Sequence, residues 1–133
     1  MEIVREVFEA VARHDAASVL ALYDPEVEIN FSPGTLADRI GEAGTWSGHA
    51  GLRAFDQELR QAFEAFETNC EELIDAGNAV VSVSRYRARG RSSGLEIDGP
   101  PQFGVWTISE SRITRVDWFN DREDALEAAG VSE

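Results

Sequence analysis

The hydrophobic period of this chain changes for good near its middle. Up to Phe66 most apolar residues recur three or four apart, and from Thr68 onward they alternate. A period near 3.6 belongs to a helix with one buried stripe, and a period of two to a strand with one buried face. Helices first and a run of antiparallel strands afterwards confine the chain to the α+β class, with the helices packed on the concave side of a bent sheet. The 133 residues supply one such core, so residues 1–133 read as a single domain without internal repeat or linker.

Ile3, Val4, Val7, Phe8 and Val11 mark a first helix running to about Arg13. Asp15 suits the N-cap of a second, which carries Val19, Leu20, Leu22 and Tyr23 and is stopped by Asp24-Pro25. Val27, Ile29 and Phe31 alternate with Glu28 and Asn30 as a short strand, ended by a turn at Ser32-Pro33-Gly34. A Gly-rich loop through Trp46-Ser47-Gly48 leads to a long helix with Leu52, Phe55, Leu59, Phe63 and Phe66 on one stripe. Then come strands to Ile74, from Ala79 to Ala88, from Leu95 to Ile97, through Val105, Trp106 and Ile108, and from Ile113 to Phe119. Turns are expected at Asp75-Ala76-Gly77-Asn78 and Arg91-Ser92-Ser93-Gly94, and a break, by a bulge or an edge, at Gly99-Pro100-Pro101. Asp121 and Asp124 have capping-box spacing ahead of a terminal helix that Gly130 closes.

Charge and cysteine usage remove several function classes. A formal charge of −13 leaves no basic footprint for nucleic acid or anionic lipid. The single cysteine, Cys70, can form no intramolecular disulfide, and the acidic start MEIVREVFEA is unlike a secretion signal, so the expected location is the cytoplasm. No apolar run approaches the length of about 20 residues that a spanning helix needs. P-loop, G-x-G-x-x-G and H-E-x-x-H patterns are absent, as are cysteine pairs and histidine clusters at metal-ligand spacing, so neither metal nor cofactor is expected. Gly90-Arg91-Ser92-Ser93-Gly94 fits G-x-S-x-G, but it joins two strands, and both histidines, His14 and His49, precede it; a nucleophile elbow needs a helix after the serine and a later histidine. Asn30-Phe31-Ser32 fits a glycosylation sequon, but Pro33 follows it.

The segments LYDPEVEIN, TWSGHAGLRAF, RITRVDWF and NDREDALEAAG resemble, in order, the landmarks of SnoaL-like proteins of the nuclear transport factor 2-like superfamily, across roughly residues 2 to 130. The resemblance implies a cone-shaped fold, in which a strongly curved, mixed but mostly antiparallel sheet wraps three N-terminal helices and a short fourth helix follows. It also implies a mostly apolar pocket between helices and sheet, a homodimer formed through the sheet, and functions ranging from isomerase, cyclase and hydrolase to non-catalytic scaffold. Fold alone does not choose among them.

Two catalytic sets known in that superfamily test the chemistry. The ketosteroid isomerase-like set of one Tyr and two Asp falls here on Val7, Ile29 and approximately Phe103, so all three roles are lost. The limonene-epoxide-hydrolase-like set of Asn, Arg-x-Asp and a last-strand Asp is matched by Asn30 and Arg85. The partner of Arg85 is Arg87 rather than an acid, and the last acid falls on Trp118, or on Asp117 with a one-residue shift. One residue of slip reverses the face of a strand, so Asn30, Arg85 and Asp117 stand as the candidate catalytic residues only if Asp117 points inward.

Each candidate also has a structural reading. Asn30 can bond its turn, Arg85 and Arg87 can pair with surface acids, and Asp117 can pair with a neighbouring strand. Tyr23, Trp46, Trp106 and Trp118 are the candidate pocket residues, or else core and interface bulk. His49 has the titration range of an acid–base group but lies isolated at a helix start. The reading is a homodimeric domain that binds a small apolar molecule, polyketide-, steroid- or terpenoid-like, with a cofactor-free isomerase, cyclase or hydratase activity open. The alternatives are a non-catalytic scaffold and an epoxide-hydrolase-like enzyme with an incomplete acid set.

Overall fold

The computed structural model describes residues 1–32, 35 and 44–130. Its elements run α1 (Glu2–Ala12), α2 (Ala16–Leu22), β1 (Tyr23–Phe31), β2 (Gly44–Ser47), α3 (Gly48–Ala62), β3 (Phe63–Asp75), β4 (Val80–Gly90), β5 (Glu96–Asp98), β6 (Gln102–Ser109), β7 (Arg112–Phe119) and α4 (Arg122–Ala128). The strands make one sheet in the order β2-β1-β7-β6-β4-β3, with β5 paired to β4 beside β6. Every pairing is antiparallel except β1 with β7. The sheet is therefore mixed and mostly antiparallel, and with its helices it forms the expected cone-shaped α+β fold. No helix among the described residues is long and apolar enough to cross a membrane.

Rows of side chains across the sheet show which face meets the helices. Val80, Trp106, Val116, Ile29 and Trp46 stand opposite one another in β4, β6, β7, β1 and β2. The next row on the same face is Leu73, Ser82, Gly104, Trp118 and Phe31. Val4 and Val7 of α1 share one core cluster with Val27, Ile29, Phe31, Val80, Trp106 and Val116, against which Leu52 and Phe55 of α3 pack. On the other face Val81, Val83, Phe103 and Val105 meet Ala125 and Leu126 of α4. The alternation Val81-Ser82-Val83-Ser84 thus sends its valines to α4 and its serines toward the first three helices. Trp106, 2 % exposed, is the largest side chain sealed at the centre; truncating a core aromatic of this kind costs about 3–5 kcal/mol.

The caps act as their spacing suggests. Asp15 accepts from the Ser18 amide at 3.1 Å and the Ser18 hydroxyl at 2.6 Å, and starts α2. Asp121 accepts from the amides of Glu123 at 2.8 Å and Asp124 at 3.4 Å, and starts α4. Gly130 follows with φ +80, the left-handed geometry of a helix end.

Three boundaries differ from the sequence pattern. Tyr23 opens β1 instead of closing α2, because its backbone is already extended at φ −101 and ψ 142. The long helix ends at Ala62, and Phe63 and Phe66 belong to β3: Phe63 turns to φ −125 and ψ 133, and both rings then stack toward Tyr86 and Ala88 on β4. Trp46-Ser47 lies in strand β2, bonded antiparallel to β1, where a loop was expected. Gly48 then turns the corner into α3 at φ +68, where a Cβ would sit 2.9 Å from the Pro25 carbonyl. The break after Gly99 is an edge, since β5 pairs with β4 alone. The turn expected at Ser32-Pro33-Gly34 lies partly outside the described residues, as does the start of the loop before Trp46.

Candidate functional site

Aromatic rings from four strands and two helices meet on the helix-facing side. Trp106 and Trp118 cross edge-to-face at 5.6 Å between centroids, Trp118 lies parallel to Phe31 at 6.4 Å, and Phe31 stacks on Phe55 at 4.8 Å. Trp46 closes the chain of contacts edge-on to Phe55 at 5.4 Å, and Phe8 and Tyr23 flank Trp106 at 5.9 and 6.3 Å. The crossing of the two indoles depends on Gly104. A Cβ there would lie 2.8 Å from Trp106 Nε1, 2.9 Å from Ser82 Oγ and 3.1 Å from Trp118 Cζ3. Trp46, Phe55 and Trp118 stay partly exposed, and not one residue of α3 is fully buried although Leu52, Phe55 and Leu59 face the core.

Polar groups on this face are few and uncharged. Trp106 Nε1 donates to Ser82 Oγ at 2.8 Å, both fully enclosed. Tyr23 is buried and burial pushes its phenol far above the ordinary tyrosine range. His49 Nε2 lies 3.0 Å from the Tyr23 carbonyl oxygen, which ties the start of α3 to β1. That contact makes His49 a structural strut. His14 is exposed at φ +57, just beyond α1.

The three candidate catalytic residues lie on the other face. Asn30 Nδ2 donates to Asp117 Oδ1 at 2.8 Å, Thr45 Oγ1 donates to Asn30 Oδ1 at 2.6 Å, and Arg115 Nε donates to Asp117 Oδ2 at 2.9 Å. Arg115 also reaches Glu28 at 3.3 Å, so β2, β1 and β7 are laced together by one polar network. Asp117 lies between Val116 and Trp118, which face the helices, so alternation turns it away from them. Arg85 stands apart on β4, exposed and paired with Glu71 of β3 at 3.0 Å. An Asn–Arg–Asp device acting on a ligand at the helix side is not assembled by this arrangement.

Two open clefts run between α1 and β3. The larger, about 470 Å³, lies between the end of α1 and Phe66, Ala88 and Ile97; the smaller, about 340 Å³, is bordered by Phe8, Thr68 and Cys70. Tyr23, Trp46, Trp106 and Trp118 line neither cleft. Among the described residues, no group of three or more His, Cys, Asp or Glu side chains is placed to hold a metal ion. Sequence reading missed Ser82 and Ser84 on this face, and it read Phe31 and Phe55 as core without naming them as pocket residues. The available signal was V-S-V-S, a strand whose alternate positions are small and hydroxylated.

Residues 4–116 match the SnoaL-like domain family. Among solved structures, a nuclear transport factor 2-like protein of unknown function from Burkholderia pseudomallei K96243 superimposes with a TM-score of 0.79 at 24% identity, covering 96% of this chain and 94% of its own. TerC co-crystallised with polyporic acid gives 0.78 at 21% identity, over 97% and 96% of the two chains. A proposed SnoaL-like polyketide cyclase from Jannaschia sp. CCS1 gives 0.72 at 17% identity, over 99% and 92%. A search of curated proteins finds no match. These similarities agree with the observed fold, and the chain belongs to the SnoaL-like domain family.

Proposed function

We propose that this domain binds a small, flat, largely apolar molecule against the partly exposed edge of the aromatic layer that α3 makes with the sheet, at Trp46, Phe55 and Trp118. The observation that carries the reading is α3 itself. Its stripe Leu52, Phe55 and Leu59 points at the sheet, yet no residue of this 15-residue helix is sealed, and Trp46 and Trp118 are partly exposed too, so apolar surface remains for a ligand to cover. Aromatic walls with few polar groups are the usual lining of such sites. Polyporic acid with TerC, and the description of the Jannaschia protein as a polyketide cyclase, make aromatic polyketide-like molecules the first class to try. An isomerase-, cyclase- or hydratase-type reaction would have to use hydroxyl groups, because the described rows of the sheet turn no charged side chain toward the helices.

A thermal-shift screen of polycyclic ketones, terpene epoxides, aromatic polyketide fragments and small carboxylates tests the reading. A ligand at about 100 times its dissociation constant stabilises the fold by about 2.7 kcal/mol, and the Trp118→Ala variant should lose that response while remaining folded. Retained binding in Trp118→Ala would place the site elsewhere. The scaffold reading is favoured by one observation, that Trp106 fills the centre of the cone; silence across every ligand class would select it. For the second copy we propose the outer face of β2, β1 and β7, since α4 packs on β6 and β7 and leaves the Thr45–Asn30–Asp117 network uncovered. Light scattering at twice the chain mass, lost on charge reversal at Asp117, checks it.

A further inference from the structure

Beside the row of Trp118 the helix-facing side of the sheet becomes polar. The row next to Ser82 and Gly104 runs Cys70, Ser84 and Gln102 across β3, β4 and β6. Ser84 is 3 % exposed. Among the described residues its hydroxyl makes no hydrogen bond, whereas the hydroxyl of Ser82, two residues earlier on the same face, is occupied by Trp106. Among the described residues no side-chain nitrogen or oxygen shut off from solvent lacks a partner, so the Ser84 oxygen must open onto accessible space. The neighbouring surface is small, because Gly104 has no side chain and Trp118 Cζ3 lies over it, near the position a Cβ would take. A hydroxyl that reaches accessible space without a protein partner is free to bond a ligand, and a strand alternating Val and Ser could have carried Ala there without losing a hydrogen bond within the protein.

We infer that Ser84 is a ligand-binding residue, which hydrogen-bonds an uncharged oxygen, a carbonyl being the simplest, on the edge of the flat molecule held by Trp118 and Phe55. This rests on the ligand site proposed above and adds to it the recognition of one polar atom. The hydroxyl donates to the carbonyl oxygen, and no bond is made or broken.

Calorimetric titration of the full chain with tetralin and 1-tetralone, the same bicyclic skeleton without and with one carbonyl oxygen, tests the inference. Ser84→Ala should weaken 1-tetralone about five- to tenfold, as one neutral hydrogen bond implies, and leave tetralin unchanged. Its melting temperature should be equal or higher, because alanine there removes no hydrogen bond among the described residues; a structural serine would instead lower it. Equal effects on both compounds, no effect on either, or a fall in melting temperature would each overturn the role of Ser84 while leaving the apolar site intact. Failure of both compounds to bind the unaltered chain would overturn the role of Ser84 together with the site.

Discussion

Replacing Ser82 by alanine isolates one buried hydrogen bond. Ser82 is 0 % and Trp106 2 % exposed, and the indole N–H donates to the serine hydroxyl at 2.8 Å. Alanine removes the acceptor and leaves the buried indole N–H without it, so the loss is the desolvation of a stranded donor, about 1–3 kcal/mol. An unfolding entropy of about 2.1 cal/mol/K per residue corresponds, for 133 residues, to a fall in melting temperature of about 4–11 °C. Urea denaturation followed by tryptophan fluorescence measures the free energy, and Ser82→Thr, which keeps the hydroxyl, controls for volume. In a Trp106→Phe background the Ser82→Ala loss should shrink to a few tenths of a kcal/mol, because no donor is left to strand. An equal loss in both backgrounds, or a loss below about 0.5 kcal/mol in the natural chain, would refute the reasoning.

Gly104→Ala should destabilise by about 1–3 kcal/mol through overpacking, because its Cβ would lie 2.8 Å from Trp106 Nε1 and 2.9 Å from Ser82 Oγ; near-ultraviolet circular dichroism should show the two indoles reoriented. Asp15 has its carboxyl held below the ordinary aspartate range, first by the Ser18 hydroxyl and then by the Ser18 amide. Its contribution is therefore present above the unfolded value, near pH 4, and lost as pH falls through the lower folded value, a loss absent from Asp15→Asn. Burial raises the Tyr23 phenol, so its contribution is complete below about pH 10 and lost as pH rises further. Ultraviolet titration should show the Tyr23 signal, identified by its absence from Tyr23→Phe, ionising only as the chain unfolds.

The local pattern settled most of the elements, and the assembled sheet settled the rest and what faces what. Asp15 and Asp121 announced their helices because a cap is a contact between residues three apart, complete within the segment that contains it. The alternation of Val27, Ile29 and Phe31 likewise fixed β1 and its buried face. The end of α3 was illegible, because Leu59, Phe63 and Phe66 keep helical spacing across a boundary set by the pairing of Phe63 with Gly90, far along the chain. Trp46 reads as loop in isolation, and the backbone hydrogen bonds of β1 make it strand. The chain alone showed Asn30, Arg85 and Asp117 as polar residues in strands, but a strand's alternation carries no absolute sign. Only the packing of α1 and α3 over Val116 and Trp118 turns Asp117 and Asn30 to the opposite face, and only the pairing of Ser82 with Gly104 brings two indoles and a free hydroxyl at Ser84 together. Local interactions can be read from neighbours in sequence, whereas the site is built from residues that meet because the sheet has already formed.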